Sequence, residues 1–471
     1  MTQWSQYSKD IFDKFTMTDD DIIVQAAPGS GKTTNIKHMW SLTTKACLYL
    51  VFAKHNQVEA EGKLPKRDNS DVLTLNALGH KIINRTYGKV KLDNRKVYRV
   101  IKENIKFEDK KQAFENSGML ADMVAMCKMV GDVNEISVET IDGLASVYDL
   151  DTYDDMYKDV VEVLGISDDT TDVIDFNDQI RFPAIKSMDM PAYDIVLGDE
   201  VQDFSPMQAK MMSRLDCGRY VLVGDKHQAI YGFRGAMNNS MEVLKETFGC
   251  VEMPLAISYR CGKSIVAEAR RLYKDIEQWD AASDGIVRYG HALDEVYDDN
   301  TLVLCRYNIP LINLAFELLS RGVACHVRGR DIAKGMIKLI KQQQCSSVGA
   351  LVKSLDIWLA LETQKANAKQ DKMKLHRVQD KYNSVMVFAK RYGEYDNVQR
   401  AIECIESMFE QGNGVCLSTV HKAKGLEARK CVVLNHETIE SNRATRGWQK
   451  EQERNVHYVA LTRAIDTLVY A

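Results

Sequence analysis

The sequence lacks any apolar run approaching the roughly 18–20 consecutive residues that a membrane-spanning helix needs, so no membrane span is expected. The polar start MTQWSQYSKD carries no apolar signal core. The 11 cysteines include no Cys-x-x-Cys pair, which argues against the common zinc patterns and a four-cysteine iron–sulfur cluster. Their odd number, with no secretion signal, points to reduced thiols in a cytoplasm. Proline is scarce, at 7 residues, so long structureless linkers are not expected. There is no fixed-period repeat and no low-complexity tract. Neither sign of charge dominates: a net charge of −4 argues against a surface coated in positive charge. It leaves room for a local basic groove, because the field depends on where the charges sit.

What is present is the composition of a folded globular protein of roughly two to four units at about 100–200 residues each. Short β-rich apolar runs alternate with longer helical stretches, which predicts an α/β fold with parallel sheets. Strands are expected at 21–25, 47–52, 71–75, 193–197 and 219–223. A second set is expected at 286–289, 301–305, 414–419, 430–434 and 467–471. The stretches 81–174 and 346–411 are charged and helical in pattern, and read as insertions. The domain expectation is therefore a first sheet from 1–80 and 175–250, and a second from 251–345 and 412–471.

The segment Ala26-Ala27-Pro28-Gly29-Ser30-Gly31-Lys32-Thr33-Thr34 follows a strand and opens a helical pattern. Gly29 and Gly31 let the backbone curl so that N–H groups face a phosphate. Lys32 can reach the β- and γ-phosphates, and the Thr33 hydroxyl suits Mg²⁺. The usual consensus has glycine at the position of Ala26. Such a loop needs carboxylates, and Asp199-Glu200-Val201-Gln202-Asp203 supplies them just past a strand. Asp199 is placed to hold the metal, and Glu200 to deprotonate the attacking water. ATP with Mg²⁺ is the expected cofactor.

Asp-Glu-x-Gln-Asp after a phosphate loop resembles the UvrD/Rep-like branch of superfamily 1 helicases. Val223 to Ala236 (VGDKHQAIYGFRGA) resembles that family's third motif nearly throughout. The resemblance implies that Gln228 senses the γ-phosphate and that Tyr231, Phe233 and Arg234 lie on the DNA side. Phe233 stands where the family usually has Trp. Ser258-Tyr259-Arg260-Cys261 resembles the fourth motif, implying Tyr259 on adenine and Arg260 on the γ-phosphate. Ser418 to Glu427 (STVHKAKGLE) resembles the fifth, with Thr419 and His421 toward DNA and Gly425 and Glu427 toward the nucleotide. Glu453-Arg454-Asn455 and Tyr458 to Ala464 resemble the sixth, making Arg463 an arginine finger. Phe52, Lys54 and Asn56 fall in a segment similar to motif Ia, and Thr74 and Asn76 in one similar to Ib. The family usually has His at the position of Asn76. Gln6 is the candidate adenine-reading glutamine, although the flanking Ile11-Phe12 would place Ser8 there instead.

By this resemblance the chain has two RecA-like motor domains. Its implied function is an ATP-dependent 3′-to-5′ translocase on single-stranded DNA that unwinds duplexes. The implied partners are single strands and duplex junctions, with RNA as a lesser alternative, and a monomer is expected to suffice. Two other readings remain at this stage: a translocase that strips proteins from strands and unwinds weakly, and an ATP-gated nucleic-acid-binding regulatory subunit. The compact size would suit a viral or mobile-element enzyme in a bacterial cytoplasm.

Overall fold

The computed structural model describes residues 4–148, 152–230, 239–368, 372–410, 412–440 and 447–471. The chain divides into two compact units, Met1–Ser258 and Tyr259–Ala471.

Among the described residues, the first unit is built on a six-stranded sheet. Its strands are β1 (Ile22–Ala26), β2 (Cys47–Leu50), β3 (Asp71–Leu73), β4 (Ala192–Asp199), β5 (Asp216–Gly224) and β6 (Val251–Leu255). They lie in the order β3-β2-β4-β5-β1-β6 and every pairing is parallel. A parallel sheet is covered on both faces, so its strands read as continuous apolar runs. The two-residue period sends Ile22, Val24 and Ala26 to one face and Ile23 to the other. The first face packs on Ile11, Phe12 and Phe15 of helix Gln6–Met17 and on Ile36, Met39 and Trp40 of helix Lys32–Leu42. The opposite face packs on Leu75, Leu78 and Ile82 of helix Leu75–Tyr87, and on Ile180 and Ala184 of helix Asp178–Ile185. Each fully buried Ile or Leu contributes roughly 1.5–3 kcal/mol.

The domain limit expected after residue 250 moves, because β6 belongs to the first sheet. Pro254 makes Val251–Leu255 look unlike a strand, but β6 is an edge strand beside β1, where a missing N–H is tolerated. The first insertion also starts later than residue 81, since helix Leu75–Tyr87 runs through that point. Its base is closed by a short parallel ladder, Lys91–Leu92 against Val173–Ile174. Beyond that ladder it has its own core, including Val100, Leu120, Val124, Cys127, Val160 and Leu164.

The second unit carries another six-stranded parallel sheet among its described residues. Its strands are β7 (Ile286–Tyr289), β8 (Thr301–Cys305), β9 (Cys325–Arg328), β10 (Val415–Thr419), β11 (Ala428–Val433) and β12 (Ala464–Tyr470). The order is β7-β12-β11-β8-β10-β9. Strand β9 had no counterpart in the sequence reading. The helices of the 346–411 stretch are Val348–Ala368, Lys372–Ala389 and Val398–Phe409. Leu351, Leu355, Phe388 and Ile405 share one core with Val303, Val327 and Leu417 of the sheet.

Candidate nucleotide site and motor motifs

In a parallel sheet, the loops at the carboxyl ends of the strands form the ligand crevice. In the first unit those ends carry the phosphate loop (after β1), Asp199-Glu200 (ending β4) and Asp225 to Gln228 (after β5). Gly31, at φ 83°, is the N-cap of helix Lys32–Leu42, a conformation that a side chain would strain. The helix therefore begins at Lys32 itself, with its N-terminus and positive dipole end at the loop. Asn35 locks the turn, donating its side-chain amide to the Gly31 carbonyl at 2.9 Å. Ser30 is buried, and its hydroxyl has no hydrogen-bond partner. An orphaned hydroxyl within a glycine loop beside Lys32 suits a phosphate oxygen.

Lys32 Nζ lies 3.2 Å from Glu200 Oε1. The Thr33 hydroxyl donates to Asp199 Oδ2 at 3.1 Å, and the Tyr49 hydroxyl donates to the same oxygen at 3.0 Å. Burial alone would lower the Lys32 pKa. The Glu200, Asp225 and Asp199 carboxylates outweigh it and hold the ammonium above its ordinary value. Burial, reinforced by Glu200, pushes the Asp199 carboxyl up to about 6, against the pull of Lys32, Tyr49 and Thr33. The same burial and the adjacent carboxylate hold Tyr49 well above the ordinary phenol range, so it stays a donor. Glu200 itself is in the left-handed region at φ 54°, a cost of order 1–3 kcal/mol that clusters at functional sites. This set of oxygens and one ammonium fits Mg²⁺ with a polyphosphate.

A polar chain runs from this pocket into the third segment. Gln202 donates to Glu200 Oε2 at 2.5 Å, and its carbonyl oxygen accepts the Asp225 N–H at 3.0 Å. Gln228 then donates to Asp225 Oδ2 at 2.7 Å. Gln25 of β1 also donates to Asp225, at 3.3 Å. Gln202, Asp225 and Gln25 were not singled out from the sequence. Gln202 lay within the quoted acidic segment, and only its contacts reveal its role. Tyr231, Phe233 and Arg234 lie outside the described residues. Gln6 opens the first helix, exposed, with its amide on Asp10 at 2.7 Å, and Ser8 is buried.

The segments expected on the DNA side sit at the same carboxyl edge. Phe52 follows β2 and is 43% exposed, and Lys54 and Asn56 open helix Lys54–Lys63. Thr74 ends β3 as the N-cap of helix Leu75–Tyr87, accepting the Ala77 N–H at 3.2 Å. The Asn76 amide nitrogen is engaged internally, with the Phe176 carbonyl at 2.9 Å and Gln179 Oε1 at 3.1 Å. That contact holds Phe176 beside the edge, 52% exposed. Phe176 was missed because a lone aromatic before a helix carries no local signal.

In the second unit three distant segments meet at the amino ends of β11 and β12. Arg260 Nε pairs with Glu427 Oε2 at 2.6 Å, and its Nη1 donates to the Thr462 carbonyl at 3.3 Å. Arg463 is buried, donating to the Val459 and Leu426 carbonyls, both at 3.2 Å. Gly425, at φ 88°, turns the chain just before Glu427. Thr419 and His421 lie at the opposite edge, where β10 ends. Tyr259 is 38% exposed.

Comparison with known proteins agrees with this arrangement. The family model described as the UvrD/REP helicase N-terminal domain matches residues 8–249, just over half of the chain. F-box DNA helicase protein 1 of Schizosaccharomyces pombe is 26% identical over 322 residues, covering 61% of this chain and 34% of its own. RecBCD enzyme subunit RecB of Mycobacterium tuberculosis is 31% identical over 103 residues, covering 20% of this chain and 9% of its own. The chain thus spans about a third or less of the length of these relatives. The family model covers more than half of the chain, and the chain belongs to the UvrD/REP helicase family.

Proposed function

We propose that this protein is an ATP-dependent motor that moves 3′-to-5′ along single-stranded DNA and unwinds duplex ahead of it. The observation that carries the proposal is the polar chain Lys32–Glu200–Gln202–Asp225–Gln228. It connects the phosphate loop to Gln228 and offers a route by which a change at the nucleotide reaches that segment.

Bound Mg²⁺–ATP would supply the phosphoanhydride whose hydrolysis drives the cycle. Thr33 and Asp199 are the residues to hold the metal, and Ser30, Lys32 and the amino end of the helix hold the phosphates. Before nucleotide arrives, Lys32 is spent on Glu200. A phosphate that draws the ammonium away frees the Glu200 carboxylate to take a proton from water. Gln202 holds the other Glu200 oxygen and so keeps the base oriented. Glu427 suits a ribose hydroxyl, and the Arg260 and Arg463 guanidiniums suit charge developing on the transferring phosphoryl group. Phe52 and Phe176 offer ring faces for bases, and Thr74, Thr419 and His421 offer polar groups to the backbone.

A second reading, a translocase that displaces bound proteins but unwinds weakly, draws on the 346–411 helices. Leu351, Leu355, Phe388 and Ile405 of these helices pack into the second sheet's core, which supports a stretch given to bracing that sheet rather than to engaging a duplex. ATPase activity with and without single-stranded DNA, then strand displacement on 3′- and 5′-tailed duplexes, tests the main proposal. The expected result is strong stimulation by single strands and unwinding from 3′ tails. No stimulation, or unwinding from 5′ tails alone, overturns it. Displacement of streptavidin from biotinylated strands without duplex unwinding would establish the second reading.

A further inference from the structure

Tyr259 has a neighbour that the sequence motifs do not include. The Trp279 ring lies with its centroid 5.7 Å from that of Tyr259, at an interplanar angle of 62°. Both rings keep large exposed surfaces, 38% for Tyr259 and 42% for Trp279. An edge-to-face pair of this kind is attractive beyond the area it buries. The rings are not parallel, so Trp279 restrains Tyr259 as an edge-to-face neighbour and not as a stacked one.

The surroundings decide what such a pair would receive. Arg260 directly follows Tyr259 and is fixed twice, by Glu427 and by the Thr462 carbonyl. Arg463 follows Thr462 and reaches the Leu426 carbonyl beside Glu427. One end of this constellation is thus aromatic, and the other combines two guanidiniums with one carboxylate. The polarity matches a ligand with a planar base, a hydroxylated sugar and an anionic tail. A turn closed by the Ala282 N–H on the Trp279 carbonyl at 3.0 Å holds the tryptophan backbone in place.

We propose that Trp279 is a positioning residue for the nucleotide base: it sets the Tyr259 ring so that a purine stacks in preference to a pyrimidine. The inference rests on the ATPase reading above and adds a source of base selectivity to it. A purine presents the larger stacking area, so its binding gains more from a ring held in place.

The test compares steady-state hydrolysis of ATP and UTP by the full chain, wild type against Trp279→Ala, with single-stranded DNA saturating. The KM for ATP is expected to rise roughly tenfold, with kcat within about twofold of wild type. The preference for ATP over UTP in kcat/KM is expected to shrink roughly fivefold. Trp279→Phe, which keeps a ring, should restore most of both. Trp279→Leu keeps an apolar filler without a π face, and supplies the same readout if the alanine variant does not fold. An unchanged KM and an unchanged ATP/UTP ratio would overturn the proposal. Weaker binding of single-stranded DNA with an unaltered KM would also overturn it, assigning the ring pair to the strand. A wild-type protein that hydrolyses no ATP would instead defeat the underlying ATPase reading, which separates the two failures.

Discussion

Lys32 and Glu200 stand 3.2 Å apart, and each is needed for a different part of the proposed chemistry. Lys32→Ala removes the one charge in the loop that can follow a phosphate, and Glu200→Gln keeps the shape but cannot accept a proton. Both variants are expected to lose single-strand-stimulated ATPase while keeping a wild-type melting profile, and wild-type turnover in either would remove that residue from the site. Asp199 makes a prediction about stability. Its folded pKa of about 6 lies above the ordinary aspartate value of 3.8, so between those values the folded chain binds more protons than the unfolded one. Folding stability from this group therefore falls as pH rises through that window, and its ionised form is a standing cost above about pH 6. Asp199→Asn should then raise the unfolding free energy by about 1–3 kcal/mol at pH 7.5, and the difference should vanish near pH 3.5. Chemical denaturation at the two pH values checks it, and an asparagine variant less stable at pH 7.5 would contradict the burial argument. These residues were legible in the sequence because each sits in a run of neighbours with one chemistry, GSGKTT or DEVQD. Phe176, Gln25 and the function of Gln202 were not legible, since each depends on a partner brought close only by folding.

Among the elements, helix Asp178–Ile185 carries more than its length suggests. Asp178 accepts from two buried ammoniums, Lys96 at 2.7 Å and Lys128 at 2.6 Å. Lys128 also pairs with Asp175 at 2.7 Å, and Arg181 forks onto Asp168 at 2.7 and 2.8 Å. Lys96, Lys128 and Asp168 belong to the first insertion, so these buried pairs join it to the sheet domain. The other side of the helix meets Leu75–Tyr87 so closely that a Cβ on Gly79 would fall 1.6 Å from the Gln179 carbonyl oxygen. The insertion is thereby tied, through one short helix, to the element that begins at Thr74. Removing one partner of a buried pair strands the others, at about 3–5 kcal/mol. Asp178→Ala is expected to destabilise the first unit by that amount, measured by denaturant unfolding, and a loss below about 1 kcal/mol would show that the lysines find other partners. In the sequence most of these charges fell in a stretch read only as a charged, helical insertion, with no pairing assigned. Charge patterning cannot tell a surface lysine from one held inside by two carboxylates. Val251–Leu255 lies past the limit expected at residue 250, and its pairing with β1 is visible only in the sheet.

At the scale of the whole molecule, each unit carries its own set of motif residues. The first holds the loop, the acidic pair and the polar chain to Gln228, and the second holds Arg260, Glu427 and Arg463. The motifs could be ordered along the sequence, but sequence order alone could not tell that Arg260, Glu427 and the Arg463 segment meet at the amino ends of β11 and β12. Local packing gives Arg463 a different role from Lys32. Its guanidinium is already oriented by the Val459 and Leu426 carbonyls, so the proposed finger role needs no further ordering of the side chain. A pre-oriented cation acts most where charge develops, and contributes less to ground-state binding, which the phosphate loop can sustain on its own. Arg463→Ala is therefore expected to lower ATP turnover by roughly 10³–10⁵, the range associated with arginine fingers, while affinity for a non-hydrolysable ATP analogue changes by less than about fivefold. Single-turnover hydrolysis beside equilibrium binding of the analogue separates the two effects. A variant that loses affinity and keeps its turnover would make Arg463 a binding group, and the role of arginine finger would be withdrawn from it.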